Sequence, residues 1–91
     1  MALKTPTNRE AVLTGDVAAI WQRTLNLPTQ VAVDANFVAL GGDSLLLMAI
    51  LDEVEETYGI ELDVEAVLAD LTVAGMVRAM VAASDTGSAG A

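Results

Sequence analysis

"LGGDSLLLMAILDEVEETYG", residues 40–59, decides how the chain folds. Two glycines and an aspartate lead into Ser44, and seven consecutive apolar residues follow, Leu45 to Leu51. Leu47, Ile50, Leu51, Val54 and Tyr58 recur three and four apart, the spacing of one helical face. This predicts an amphipathic helix from Ser44 to about Tyr58, with Gly59 as its stop. Leu45, Leu46 and Met48 fall off that stripe, all within about one turn of Ser44. Exposed apolar residues beside a presented serine suggest a docking patch for partners. For Leu46 the alternative is burial beneath the loop that precedes the helix.

Working upstream, Leu13, Val17, Ile20, Trp21 and Leu25 keep helical spacing. They predict a first helix from about Arg9 to Leu25 or Asn26, ended by Pro28, because the residue before a proline avoids helix. The connection from Leu27 to Asp43 is long for a small domain, so it is expected to be packed down or functional. Val31, Val33, Phe37 and Leu40 are its expected anchors. Downstream, Asp63 can cap a short helix, Val64 to Ala69, and Thr72 can cap a last one, Val73 to about Ala83. Val73, Met76, Val77 and Met80 share one face of it. Trp21, Phe37 and Tyr58 are expected in the core or at its rim. The chain therefore reads as all-α, a four-helix bundle with three long helices, a short third one and a long loop between the first two. Residues 1–8 read as a flexible N-terminus, 9–83 as the domain, and 84–91, "SDTGSAGA", as a flexible tail.

Bulk properties narrow the function. At 91 residues the chain is one small domain, and its 54% hydrophobic content excludes wholesale disorder. With no cysteine and no histidine, it has no disulfide, no thiolate metal site and no imidazole base. No metal site and no catalytic residue are expected. Thirteen acidic against 4 basic residues give a net charge of -9, which repels phosphate backbones and attracts basic partner surfaces. The N-terminus lacks a signal core, and the longest apolar run is too short to span a bilayer. A cytoplasmic monomer, bound to neither nucleic acid nor membrane, is the expectation.

Ser44 has three readings. The letters Gly42-Asp43-Ser44-Leu45 spell the nucleophile block of the GDSL esterases. A serine hydroxyl needs a base to accept its proton. That family's histidine is missing and its α/β sheet does not fit this length, so the hydrolase reading fails. The second reading is a plain helix N-cap behind a Gly-Gly turn. The third is an attachment point, compatible with the second. A phosphodiester on Ser44 would lie at a helix N-terminus, where N–H groups and the dipole favour negative charge. Gly41 and Gly42 would leave a modifying enzyme room to approach. The acidic cluster Asp52, Glu53, Glu55 and Glu56 points the same way. Its members repel at i,i+3 and i,i+4 by roughly 0.2–0.5 kcal/mol per pair, and they sit where the dipole prefers cations. A solvated face is the bland account; docking by basic partners is the functional one.

"NFVALGGDSLLLMAILDEVEETYGIEL" resembles the heart of the phosphopantetheine-dependent carrier proteins. It is most similar to the peptidyl carrier (thiolation) proteins of nonribosomal peptide synthesis. Their pattern runs aromatic-aromatic-x-Leu-Gly-Gly-Asp-Ser-Leu/Ile into an amphipathic helix. "VAAIWQRTLNL" and "IELDVEAVLADLTVAGMV" are similar to the flanking helices. The resemblance spans about Val17 to Val81 and implies the acyl-carrier-protein type of bundle. It implies a phosphopantetheine arm, taken from coenzyme A, on Ser44. Its thiol would hold an aminoacyl or peptidyl group as a thioester. Asp43 would help a phosphopantetheinyl transferase recognise the site, and Leu45 and Met48 would contact that enzyme and later partners. Those partners would be adenylation or acyl-loading enzymes and condensation or tailoring enzymes. Together with Asp52, Glu55 and Glu56 these residues form the expected recognition set.

Three departures are visible. Val38 replaces the second aromatic, Leu71-Thr72 replaces Pro-Thr before the last helix, and the second helix ends as acidic as in acyl carriers. An acyl carrier of polyketide or fatty-acid synthesis is therefore the alternative, and an acidic helical adaptor without cofactor is the alternative from another class. The initial Met and single domain suit a free-standing carrier.

Overall fold

A computed structural model describes residues 8–90, with side chains described from Arg9 to Ser84. Among these residues there are four α-helices and no strand: α1 Asn8–Thr24, α2 Ser44–Tyr58, α3 Val64–Ala69 and α4 Val73–Gly90. α1 packs against α2 and α4, and the short α3 packs against α4. Residues 1–7 and 91, parts of the expected loose ends, lie outside the described residues.

One core joins all four helices. α1 contributes Leu13, Val17, Ala18, Ile20 and Trp21, and α2 contributes Leu47, Ile50, Leu51 and Val54. α3 turns Val67 inward, and α4 supplies Val73, Met76, Val77, Ala79 and Met80. Trp21 and Phe37 are fully enclosed, their rings edge to face at 5.1 Å. The indole N–H of Trp21 donates to Met76 Sδ at 3.5 Å. Tyr58 sits at the rim, as its place at the end of the α2 stripe suggests; its hydroxyl donates to Asp16 across to α1 at 2.6 Å.

Helix ends follow local chemistry, with one correction. Asp63 accepts from the N–H of Glu65 and Ala66, and Thr72 Oγ1 accepts from the N–H of Gly75, so both expected caps form. Pro28 does not end α1. Asn26 does, in the left-handed conformation at φ 57°. The N–H of Leu27 donates to Gln22 O at 2.9 Å and that of Asn26 to Arg23 O at 3.2 Å. This pair of bonds is a Schellman closure with asparagine in the position glycine usually takes. Pro28 follows the closure.

At the other end α4 does not stop near Ala83. Its helical backbone continues to Gly90 where an irregular tail was expected. No proline interrupts the segment, and an established helix extends one hydrogen bond per added residue.

The connection between α1 and α2 is packed down. Val31 and Phe37 are buried, and Leu40 is half-buried. Val33 is not the side-chain anchor expected, being 47% exposed. Its carbonyl does the anchoring, accepting from Ala74 N–H at the start of α4. The N–H of Phe37 donates to Leu71 O at 2.8 Å. Backbone bonds thus stitch the loop to the α3–α4 junction while two side chains reach the core. No helix among the described residues is long and apolar enough to cross a membrane.

Candidate functional site

The loop delivers the chain to α2 through a compact turn. The carbonyl of Phe37 accepts from the N–H groups of both Leu40 and Gly42. Asn36 Oδ1 accepts from the N–H of Val38 and Ala39. Gly41 has φ 98°, a backbone state that side-chain-bearing residues rarely adopt. Gly42 is glycine for a different reason: a Cβ there would overlap the Phe37 ring. The second glycine therefore answers to the core beneath it, not to an approaching enzyme, as the open-turn expectation had it.

Asp43, not Ser44, is the N-cap of α2. It is extended, at φ -139° and ψ -177°, and its Oδ1 accepts from Leu46 N–H at 2.9 Å. Its carbonyl accepts from Leu47 N–H at 2.9 Å. Ser44 is the first helical residue and is exposed. Its hydroxyl is thus free of the capping duty that the plain reading assigned to it. It stands in the first turn of a 15-residue helix, where the backbone dipole favours an anion.

Around it the apolar patch takes the expected form. Leu45 is 80% exposed and Met48 53% exposed, while Leu46 is half-buried against the core. Leu46 thus leaves the exposed patch, packed partly against the core rather than buried beneath the loop. Val38 on the loop, and Val64 and Leu68 on α3, are also exposed. Sequence reading missed these three. The one-turn spacing of Val64 and Leu68, which puts the two on one face of α3, is the signal that could have found the pair.

The acidic cluster divides. Asp52 and Glu56 are exposed. Glu53 pairs with Arg23 of α1 at 2.7 Å. Glu55 is half-buried, and its Oε2 accepts from Leu62 N–H at 2.9 Å, tying α2 to the segment before α3. Glu55 therefore holds the fold, which its place in the recognition set did not anticipate. The Tyr58 hydroxyl is pushed up to about 12 by burial first, then by its bond to Asp16 and that carboxylate's charge.

The profile of the phosphopantetheine attachment site family matches residues 15–80, a span that begins in α1 and ends in α4. The chain belongs to the phosphopantetheine-binding carrier proteins. It is 35% identical over 65 residues to the hybrid PKS-NRPS synthetase mpsA of Macrophomina phaseolina. That alignment covers 70% of this chain but only 2% of the synthetase. Its fold is similar to that of BlmI, a type-II acyl carrier protein from Streptomyces verticillus involved in bleomycin biosynthesis. The TM-score is 0.75 and the identity 39%, covering 81% of this chain and 88% of BlmI. It is also similar to a peptidyl carrier protein solved with the transferase Sfp and coenzyme A. There the TM-score is 0.69 and the identity 28%, over 81% of this chain and 91% of that one.

A carrier protein is not a catalyst; its cofactor is phosphopantetheine. Membership sets aside the cofactor-free adaptor. The residues at the start of α2 fit the group: an exposed hydroxyl, a helix N-terminus beside it and a glycine turn ahead of it. Among the described residues no cluster of His, Cys, Asp or Glu could hold a metal ion.

Proposed function

We propose that Ser44 carries the phosphopantetheine arm and that the holo-protein presents an aminoacyl or peptidyl thioester to enzymes of nonribosomal peptide biosynthesis. The observation behind this is the division of labour at α2: Asp43 caps the helix, which leaves the Ser44 hydroxyl exposed and uncommitted. In the modification, Ser44 Oγ bonds to phosphorus of coenzyme A and adenosine 3′,5′-bisphosphate leaves. The hydroxyl proton passes to a base on the transferase. When bound, the arm supplies a thiol that holds cargo. This chain's own part is to present the serine and to offer Leu45, Met48, Asp52 and Glu56 as the surface a partner meets. Asp43 adds a carboxylate at the same edge. The partners are a phosphopantetheinyl transferase, a loading enzyme of the adenylation type and condensation or tailoring enzymes.

The acyl-carrier reading keeps one specific support, the resemblance to BlmI. The paired glycines and the likeness to a solved peptidyl carrier protein support the peptidyl type. Intact-mass analysis after incubation with a broad-specificity phosphopantetheinyl transferase and coenzyme A tests the site. Wild type should gain one arm and Ser44→Ala none; an arm on the alanine variant refutes the assignment. Supplying the holo-protein with adenylation enzymes plus amino acids, or with acyl-transferring enzymes plus acyl donors, then separates the two cargo classes.

A further inference from the structure

We propose that Phe37 is a positioning residue for the modification of Ser44, acting through Gly42. This rests on Ser44 being the attachment point. Phe37 is 1% exposed and is held from every side. Its ring stands edge to face on Trp21 of α1, its N–H donates to Leu71 O, and its carbonyl accepts from Leu40 and Gly42. The ring fills the space a side chain at Gly42 would need, so residue 42 rests directly on it. Only Asp43 separates Gly42 from Ser44, and both oxygens it offers α2 are committed to the first turn. A fixed path therefore runs from the core to the hydroxyl: Trp21, Phe37, Gly42, Asp43, Ser44. Leu40, half-buried, is the turn's other apolar contact with the core, and Phe37 is its one fully buried side chain.

A reacting hydroxyl has to be held to within about 0.5 Å, and a misplacement of about 1 Å can cost on the order of 100-fold. Gly42→Ala forces the ring and the turn apart. Phe37→Leu removes the ring edge and makes room for the added methyl. The carrier is the transferase's substrate, which separates positioning from mere instability. Partial unfolding lowers the concentration of competent substrate and raises the apparent KM, leaving kcat intact. A misplaced hydroxyl lowers kcat. KM should change little, because Leu45 and Met48 are untouched.

The experiment measures arm transfer from coenzyme A at varied concentrations of the full chain, with Trp21 emission reporting the ring contact. Gly42→Ala should lower kcat about tenfold or more. The double variant Phe37→Leu/Gly42→Ala should recover at least threefold over Gly42→Ala. The proposal is overturned if Gly42→Ala keeps the wild-type kcat, if its loss lies wholly in KM, or if the double variant is no faster than the single one. Should Gly42→Ala fail to fold, Phe37→Leu decides alone: a lowered kcat supports positioning and an unchanged one refutes it. Wild type that takes no arm, or Ser44→Ala that does, refutes the attachment site itself, a result distinct from the others.

Discussion

Exchanging Asp43 and Ser44 for alanine, one at a time, separates the two duties that the first turn of α2 combines. Asp43 Oδ1 accepts from Leu46 N–H at 2.9 Å, the geometry of an N-cap. Removing such a cap costs about 0.5–2 kcal/mol, and the lost carboxylate at the dipole's positive end adds up to about 1 kcal/mol. The two effects overlap, so Asp43→Ala should cost about 1–2 kcal/mol. For a domain of this size that lowers the melting midpoint by roughly 4–16 °C. Ser44 makes no cap and is exposed, so Ser44→Ala should stay within about 0.5 kcal/mol of wild type.

Urea unfolding followed by circular dichroism reads both, provided the slope with denaturant is unchanged. If Ser44→Ala is the more destabilising, the serine is the cap and its hydroxyl is not free. Asp43→Asn adds a third measurement. Asparagine caps about as well as aspartate. A variant with near-wild-type stability and slow modification would assign the carboxylate to transferase recognition. Near-wild-type stability with unchanged modification would leave it only the cap.

Leu45→Asp and Met48→Asp should cost on the order of 1 kcal/mol or less and should slow arm attachment; a Leu45→Asp variant that unfolds, yet is modified normally in its folded fraction, contradicts this. Glu55→Ala should destabilise by about 1–3 kcal/mol, because Leu62 N–H loses its acceptor, whereas Glu55→Gln keeps an oxygen there and should melt near wild type. Asp52→Asn and Glu56→Gln should leave melting alone and weaken transferase binding mainly at low salt, since charges beyond about 10 Å are screened at 0.1 M; a loss independent of ionic strength argues against steering. The fold favours the neutral Tyr58 phenol, so its contribution is complete below the unfolded value of 10 and is lost as pH rises towards about 12. The stability advantage of wild type over Tyr58→Phe should therefore shrink across that window, and a constant gap would refute the Asp16 contact.

Much of this was legible because it is local. The α2 stripe, the caps at Asp63 and Thr72 and the off-stripe positions of Leu45 and Met48 depend on residues within a turn or two of one another. What was not legible depends on distant pairs. Nothing near Glu55 announces that its carboxylate meets the N–H of Leu62, seven positions on, after the helix has ended. The glycine pair looked like one feature with one purpose, yet Gly41 serves a backbone angle and Gly42 serves a ring that the loop has carried into the core. Val33 looked like an apolar anchor and proved to anchor by its carbonyl. At α1 the error was of another kind: Pro28 is a conspicuous breaker, and Asn26 had already closed the helix before it.

The acidic cluster shows how structure changes the weight of a sequence argument. Four acids in the C-terminal half of α2 looked locally unfavourable, which favoured a role outside the fold. Two of the four have partners within it. Glu53 meets Arg23, an exposed pair that contributes little to stability, and Glu55 meets a backbone donor. Each relieves some of the repulsion that the bare sequence implies. The remaining pair, Asp52 and Glu56, stands one turn apart and follows Leu45 and Met48 along one helical face. The unexplained charge is therefore confined to the side that bears the exposed apolar residues. A partner reaching Ser44 along that face meets apolar contacts first and carboxylates farther down the helix. It would need an apolar hollow near its own reacting group and a basic edge about 12–18 Å beyond it, given the helical rise of 1.5 Å per residue. A partner surface with the basic residues beside the reacting group and none at that distance would contradict this arrangement.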